Sequence, residues 1–186
     1  NVNVIDGWAA YAHGGREAVV RASRALHPRY EALTVGPVHY DILEPMRRVR
    51  LVAGANAQDF EFEVVLEAQS PPFVEARYQH YKFGAVVNDL MRYTQICRAR
   101  GVARIGDRHL DIDGWHAMRD HSWGVRSSMA QPTGIRGIDR QPAEADQRAL
   151  RLWVPFEVAD HCGFFNTHED SSGRPLDFEG RLDYHD

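Results

Sequence analysis

Apolar and polar residues alternate strictly in several stretches of the chain. Phe60, Phe62, Val64 and Leu66 are set against Asp59, Glu61, Glu63 and Glu67, the two-residue period of a strand with one dry and one wet face. Val49, Leu51 and Ala53 alternate with Arg48, Arg50 and Val52 in the same way. Leu150, Leu152, Val154, Phe156 and Val158 alternate with Arg151, Trp153, Pro155 and Glu157. Pro155 has no N–H to give a ladder, so that strand is expected at a sheet edge or at a bulge. Leu176, Phe178, Leu182 and Tyr184 against Asp177, Glu179, Arg181 and Asp183 predict one more strand. It runs up to Asp186, and a chain that starts at Asn1 and stops inside a strand reads as part of a longer one.

Turn signals punctuate these runs. Gly101 and Gly106-Asp107 fall among short apolar runs between Met91 and Ile112, which predicts a meander of closely spaced hairpins, and Asp170-Ser171-Ser172-Gly173 predicts another turn. Gly15 to Leu26 fits either a helix, through Ala18, Val19, Ala22 and Leu26, or a strand, through Val19-Val20. Gln131 to Gln147, rich in Gly, Pro, Asp and Gln, reads as a long connection. Many short antiparallel strands, each with one apolar face, must stack or close to bury that face. The expectation is an all-β chain, and a barrel would also supply a cavity.

Composition narrows the partners. The 186 residues are 44% hydrophobic, with a formal charge of −4 carried by interspersed Asp, Glu and Arg. No basic block is present to attract a phosphate backbone, so nucleic acid is not an expected partner. No apolar stretch reaches the roughly 20 residues that span a bilayer as a helix, and no secretory leader pattern opens the chain, so a soluble, cytoplasmic protein is expected. Cys97 and Cys162 are too few for a disulfide framework and read as two buried free thiols.

The densest chemistry lies in Gly114-Trp115-His116-Ala117-Met118-Arg119-Asp120-His121-Ser122-Trp123-Gly124-Val125-Arg126. Its part Arg119 to Arg126, Arg-Asp-His-Ser-Trp-Gly-x-Arg, resembles the hydroxyneurosporene synthase (carotenoid 1,2-hydratase) family. The likeness continues more loosely over Tyr93 to Trp123, through Tyr93-x-Gln95 and the glycine-turn hairpin that follows. The resemblance implies two lipocalin-like antiparallel barrels: residues 1–125 as a first barrel, 126–148 as a connection, and 149–186 as opening strands of a second. It also implies a cofactor-independent hydratase, dehydratase, isomerase or cyclase acting on an apolar terpenoid, polyene or lipid-like molecule. A carrier of such molecules is the alternative, and a purely structural domain junction is the third.

Hydration needs a proton delivered to carbon, a placed water, and an aromatic face beside the cation that forms. Asp120, His121 and Trp123 supply these types and are the catalytic candidates. On a strand, Arg119, His121 and Trp123 share one face while Asp120 and Ser122 share the other. His121 is preferred as acid or base, because Arg119 and Arg126 would hold Asp120 ionised, leaving Asp120 to orient the imidazole or pair with Arg126. Tyr93, Gln95, Arg119 and Arg126 are the substrate-binding candidates, with Tyr81, from the run Tyr78 to Phe83, as a further hydrogen-bond donor.

No metal site is expected. His161-Cys162 and His168-Glu169-Asp170 hold ligand types, but on a strand Cys162, Phe164 and Asn166 oppose His161, Gly163, Phe165 and Thr167, and a solvated loop explains the rest. Asp111 and Asp113, before Gly114, read as turn residues.

Overall fold

The computed structural model describes residues 3–82, 85–126 and 148–185, and every regular element among them is a β-strand. In chain order these are β1 (Val4–His13), β2 (Arg16–Ala25), β3 (Thr34–Val35), β4 (Val38–Glu44), β5 (Arg48–Ala53), β6 (Phe60–Ala68), β7 (Phe73–Val74), β8 (Tyr78–Lys82), β9 (Ala85–Ile105), β10 (Arg108–Arg126), β11 (Arg148–Glu157), β12 (His161–Asp170) and β13 (Pro175–Tyr184). Every pairing with a defined register is antiparallel. No sheet closes on itself among the described residues, so the all-β antiparallel class stands while the strands form open sheets. No helix among them is long and apolar enough to cross a membrane.

The chain divides into two compact units, Asn1–Ala68 with Cys97–Ala117, and Gln69–Ile96 with Met118–Asp186. Most of the connection at 126–148 lies outside the described residues.

In the first unit, β1 and β2 form a hairpin whose two-residue loop is Gly14-Gly15. Both glycines have positive φ, as the tight turn matching strand twist requires. The segment that fitted either helix or strand is thus strand β2, with Ala18, Val20 and Ala22 half-buried between exposed neighbours. Strands β3, β4, β5, β6 and the end of β9 pair in sequence, with β10 beside β9. The alternating apolar positions of β5 and β6 point inward as expected. Val49, Val64 and Leu66 meet Cys97, Ala99 and Ile112 in one cluster, and Phe60 meets Ala9 and Ala53 in another. The charged positions of the same strands pair on the outer face, Arg50 with Asp41 and Glu63, and Arg104 with Asp59 and Glu61.

Two turn expectations are corrected here. Gly106-Asp107 does turn the chain, but Gly101 lies within unbroken β9, at φ +149°, where a Cβ would sit 2.1 Å from the Glu63 carbonyl oxygen. Its glycine serves a close approach of β9 to β6 rather than a turn. Likewise Gly114 lies within β10, and Asp113 forms an ion pair with Arg100.

In the second unit, β7 and β8 pair with the first part of β9, and β11, β12 and β13 form a separate sheet with β11 and β13 at its edges. Pro155 therefore sits on an edge strand, as its missing N–H requires. His168, Glu169 and Asp170 belong to the central strand β12, which corrects the expected solvated loop. Cys162 and Phe164 are buried on one face of it, where Phe73 packs against Phe164 with ring centroids 5.2 Å apart. The sense of the alternation in β13 is reversed. Phe178, Leu182 and Tyr184 are exposed, Phe178 at 72%, while Asp177, Glu179, Arg181 and Asp183 are half-buried. The charged face is the one that β7 and its surroundings cover.

Asp170 closes the β12–β13 turn. Its Oδ1 accepts from the Ser172 N–H at 2.9 Å, the Ser172 hydroxyl at 2.6 Å and the Arg174 N–H at 3.1 Å. These bonds, that of the Ser172 hydroxyl foremost, hold its carboxyl at about 2, below the ordinary 3.8. A depressed carboxyl stabilises the turn fully above its unfolded value and loses that contribution as pH falls through the folded one. Carbon-13 titration should place the Asp170 midpoint near 2, and a midpoint at the ordinary value would remove the turn's acid sensitivity in that window.

Candidate functional site

The residues of the Arg119 to Arg126 run come together in the second unit with Tyr93 and Gln95 from β9. The His121 ring lies 5.5 Å from Tyr93 and 5.5 Å from Trp123, nearly parallel to the indole at 27°, and Tyr93 and Trp123 are 6.4 Å apart. Arg119 Nη2 donates to the Tyr93 hydroxyl oxygen at 2.7 Å, and Nη1 donates to Gln95 Oε1 at 3.1 Å. Gln95, 1% exposed, also donates to the Ser70 carbonyl at 2.8 Å, so both ends of its amide are engaged. It holds Arg119 in place. Tyr93 is buried, whereas His121 and Trp123 are exposed, so the cluster has a fixed floor and an open side.

The alternation of β10 sends Asp120 elsewhere. Its Oδ1 is 3.6 Å from Arg92 Nε, and Arg126 instead donates to the Ser122 hydroxyl at 2.6 Å. Asp120 therefore neither pairs with Arg126 nor orients the His121 imidazole. Gly124 is at φ +126° within β10, and a Cβ there would lie 1.9 Å from the Asp89 carbonyl oxygen. Tyr81 is exposed on β8, opposite Val86.

A second group of side chains, which sequence reasoning missed, surrounds a cavity of about 500 Å³. Tyr78, Leu90 and Arg92 line it from β8 and β9, and Arg151, His168 and Asp177 from β11 to β13. Glu75, 8% exposed, accepts from the Trp153 indole at 3.4 Å and forms ion pairs with Arg92 at 3.4 Å and Arg151 at 3.8 Å. His168 is opposite Asp177 in the β12–β13 ladder, and its Nδ1 is 2.8 Å from Asp177 Oδ1, which fixes the ring. None of the eight residues nominated from the sequence lines this cavity. Only the alternation of β12 and β13, which puts His168 and Asp177 on matching strands, could have signalled it.

Among the described residues no three His, Cys, Asp or Glu side chains gather as a metal site. Both cysteines are buried and neither is in a disulfide, and burial pushes the Cys162 thiol up. No curated protein and no solved structure matches the chain. A family model does, over residues 1–182, and it describes a family of unknown function, DUF8625, to which this chain belongs.

Proposed function

We propose that this protein performs cofactor-independent acid–base chemistry on a largely apolar small molecule, as a hydratase or dehydratase, an isomerase or a cyclase, within a lipocalin-like fold. The observation that carries the reading is the contact of one imidazole, His121, with two aromatic rings, Tyr93 and Trp123. Protonating an alkene makes a cation, and aromatic faces within about 6 Å attract such a charge. An imidazole exchanges its proton near neutral pH, so His121 is the acid or the water-activating base. Arg119, donating to the Tyr93 oxygen, keeps that ring in place.

Two features support the lipocalin-like part of the proposal. The likeness of Arg119 to Arg126 to the carotenoid hydratase family is one. The other is the open apolar face of β11 to β13, with Phe178, Leu182 and Tyr184, which has the character of a barrel interior. The carrier reading is favoured by one observation, that the cavity is lined by none of the motif's residues.

Protein purified from its own source should carry a bound apolar molecule in native mass spectrometry and convert it on incubation. His121→Ala should slow that conversion about 100- to 10,000-fold while retaining the ligand. A ligand bound and left unchanged by the wild type would replace the enzyme with a carrier.

A further inference from the structure

We propose that the cavity between β8–β9 and β11–β13 is a binding site for a carboxylate with an apolar body, held by Arg92 and Arg151. This site lies apart from the His121 cluster, and its occupancy does not depend on that cluster being catalytic.

The argument is a balance of donors and acceptors. Three carboxylates line the cavity, and all six of their oxygens already face donors of the protein. Glu75 Oε1 accepts from the Thr94 hydroxyl and the Trp153 indole, and its Oε2 faces both guanidinium groups. Glu179 Oε1 accepts from Asn166 Nδ2 at 3.3 Å and Oε2 from the Ala76 N–H at 3.0 Å. Asp177 Oδ1 accepts from the His168 N–H, and both of its oxygens are within 3.0 Å of His168 Nδ1.

The donors are in surplus. A guanidinium has five N–H groups. Arg92 donates one, to Glu75 at 3.4 Å, while its buried Nε faces Asp120, outside the cavity lining, at 3.6 Å without a hydrogen bond, which leaves the rest of its fork unengaged. Arg151 donates one, from Nε to Asn166 Oδ1 at 3.1 Å, and its approach to Glu75 is a long 3.8 Å. Burial, then the like charge of Arg92, pushes the Arg151 guanidinium down. Two cations thus share one buried anion at long range, with the half-exposed Asp120 beside Arg92 as the other carboxylate in reach, and a planar anion in the cavity would engage the donors both leave over.

Carboxylate geometry matches a guanidinium fork, and the cavity volume falls within the roughly 300–1,000 Å³ of small-molecule sites. Leu90 and Tyr78, opposite each other in the β8–β9 ladder, give the ligand's body an apolar wall.

Calorimetry with decanoate and with decanol as its uncharged counterpart tests the site. Decanol also measures attachment to the open apolar face of β11 to β13. Decanoate should bind the wild type at least about tenfold more tightly than decanol, the worth of one charge-assisted pair. Arg151→Met should erase that difference while leaving decanol binding as it was, and Arg151→Lys should restore part of it. Equal affinities for the two ligands in the wild type would overturn the proposal, as would an Arg151→Met protein that folds and keeps the full preference. Should Arg151→Met not fold, salt decides, because the preference for decanoate must shrink as ionic strength rises and a constant preference refutes the ion pair.

Discussion

Gly101→Ala is expected to cost the protein about 3 kcal/mol or more, the sum of a strained backbone and a broken strand pairing. The residue sits opposite Val64 in the β6–β9 ladder. Its φ of +149° is a conformation that side chains with a Cβ rarely adopt. The added carbon would lie 2.1 Å from the Glu63 carbonyl oxygen and 2.8 Å from the Val64 Cα, both backbone atoms that cannot rotate away. The strands must therefore separate where Val49, Val64, Leu66, Cys97 and Ala99 pack. Urea unfolding measures the loss. Gly15→Ala is the comparison: its φ is also positive, but nothing lies within 4 Å of the added carbon. That change should cost only about 1–2 kcal/mol, the conformational part alone. Equal costs for the two substitutions would show that the close approach of β6 and β9 is not what Gly101 serves.

Replacing Glu75 by Leu is expected to cost about 3 kcal/mol, because removing one partner of a buried pair strands the other. Arg92, 18% exposed, would lose its 3.4 Å carboxylate contact and keep only the 3.6 Å approach of its Nε to Asp120, which is no hydrogen bond. Thr94 and Trp153 would lose the acceptor for their hydroxyl and indole N–H. Substituting both Glu75 and Arg92 by Leu should be less harmful than the single change, since the more buried of the two guanidinium groups is then not left behind, and Arg151 and Asp120, each about 40% exposed, keep their access to water. A double variant as unstable as the sum of its parts would mean that the two side chains act independently. Both variants are compared by urea unfolding.

The strands were legible where one face is dry and the other wet. Phe60 to Leu66 and Val49 to Ala53 alternate because each strand has a core side and a solvent side, and the structure places them so. The length of β9 was not legible. Glycine at position 101 carries the same letter whether it turns the chain or lets two backbones touch, and only the partner strand distinguishes them. For β13 the alternation announced two faces but not which one is covered. That choice belongs to Phe73, Glu75 and their neighbours on another part of the chain. The aromatic cluster was partly legible, since His121 and Trp123 are two residues apart on one strand, with Tyr93 and Gln95 on the next. The cavity was not, because Glu75, Arg92, Arg151 and His168 are brought together by pairings across long separations.

Strand β10 is also a partition. Successive residues of Arg119 to Trp123 serve opposite sides, Asp120 toward Arg92 and His121 toward Tyr93. The spelling of this run is therefore tolerant in one respect and rigid in another. A substitution alters one side of the wall, but a single inserted or deleted residue exchanges the two, handing the imidazole to the charged side and the carboxylate to the aromatic one. Within this stretch, counting matters more to the chemistry than any one letter does.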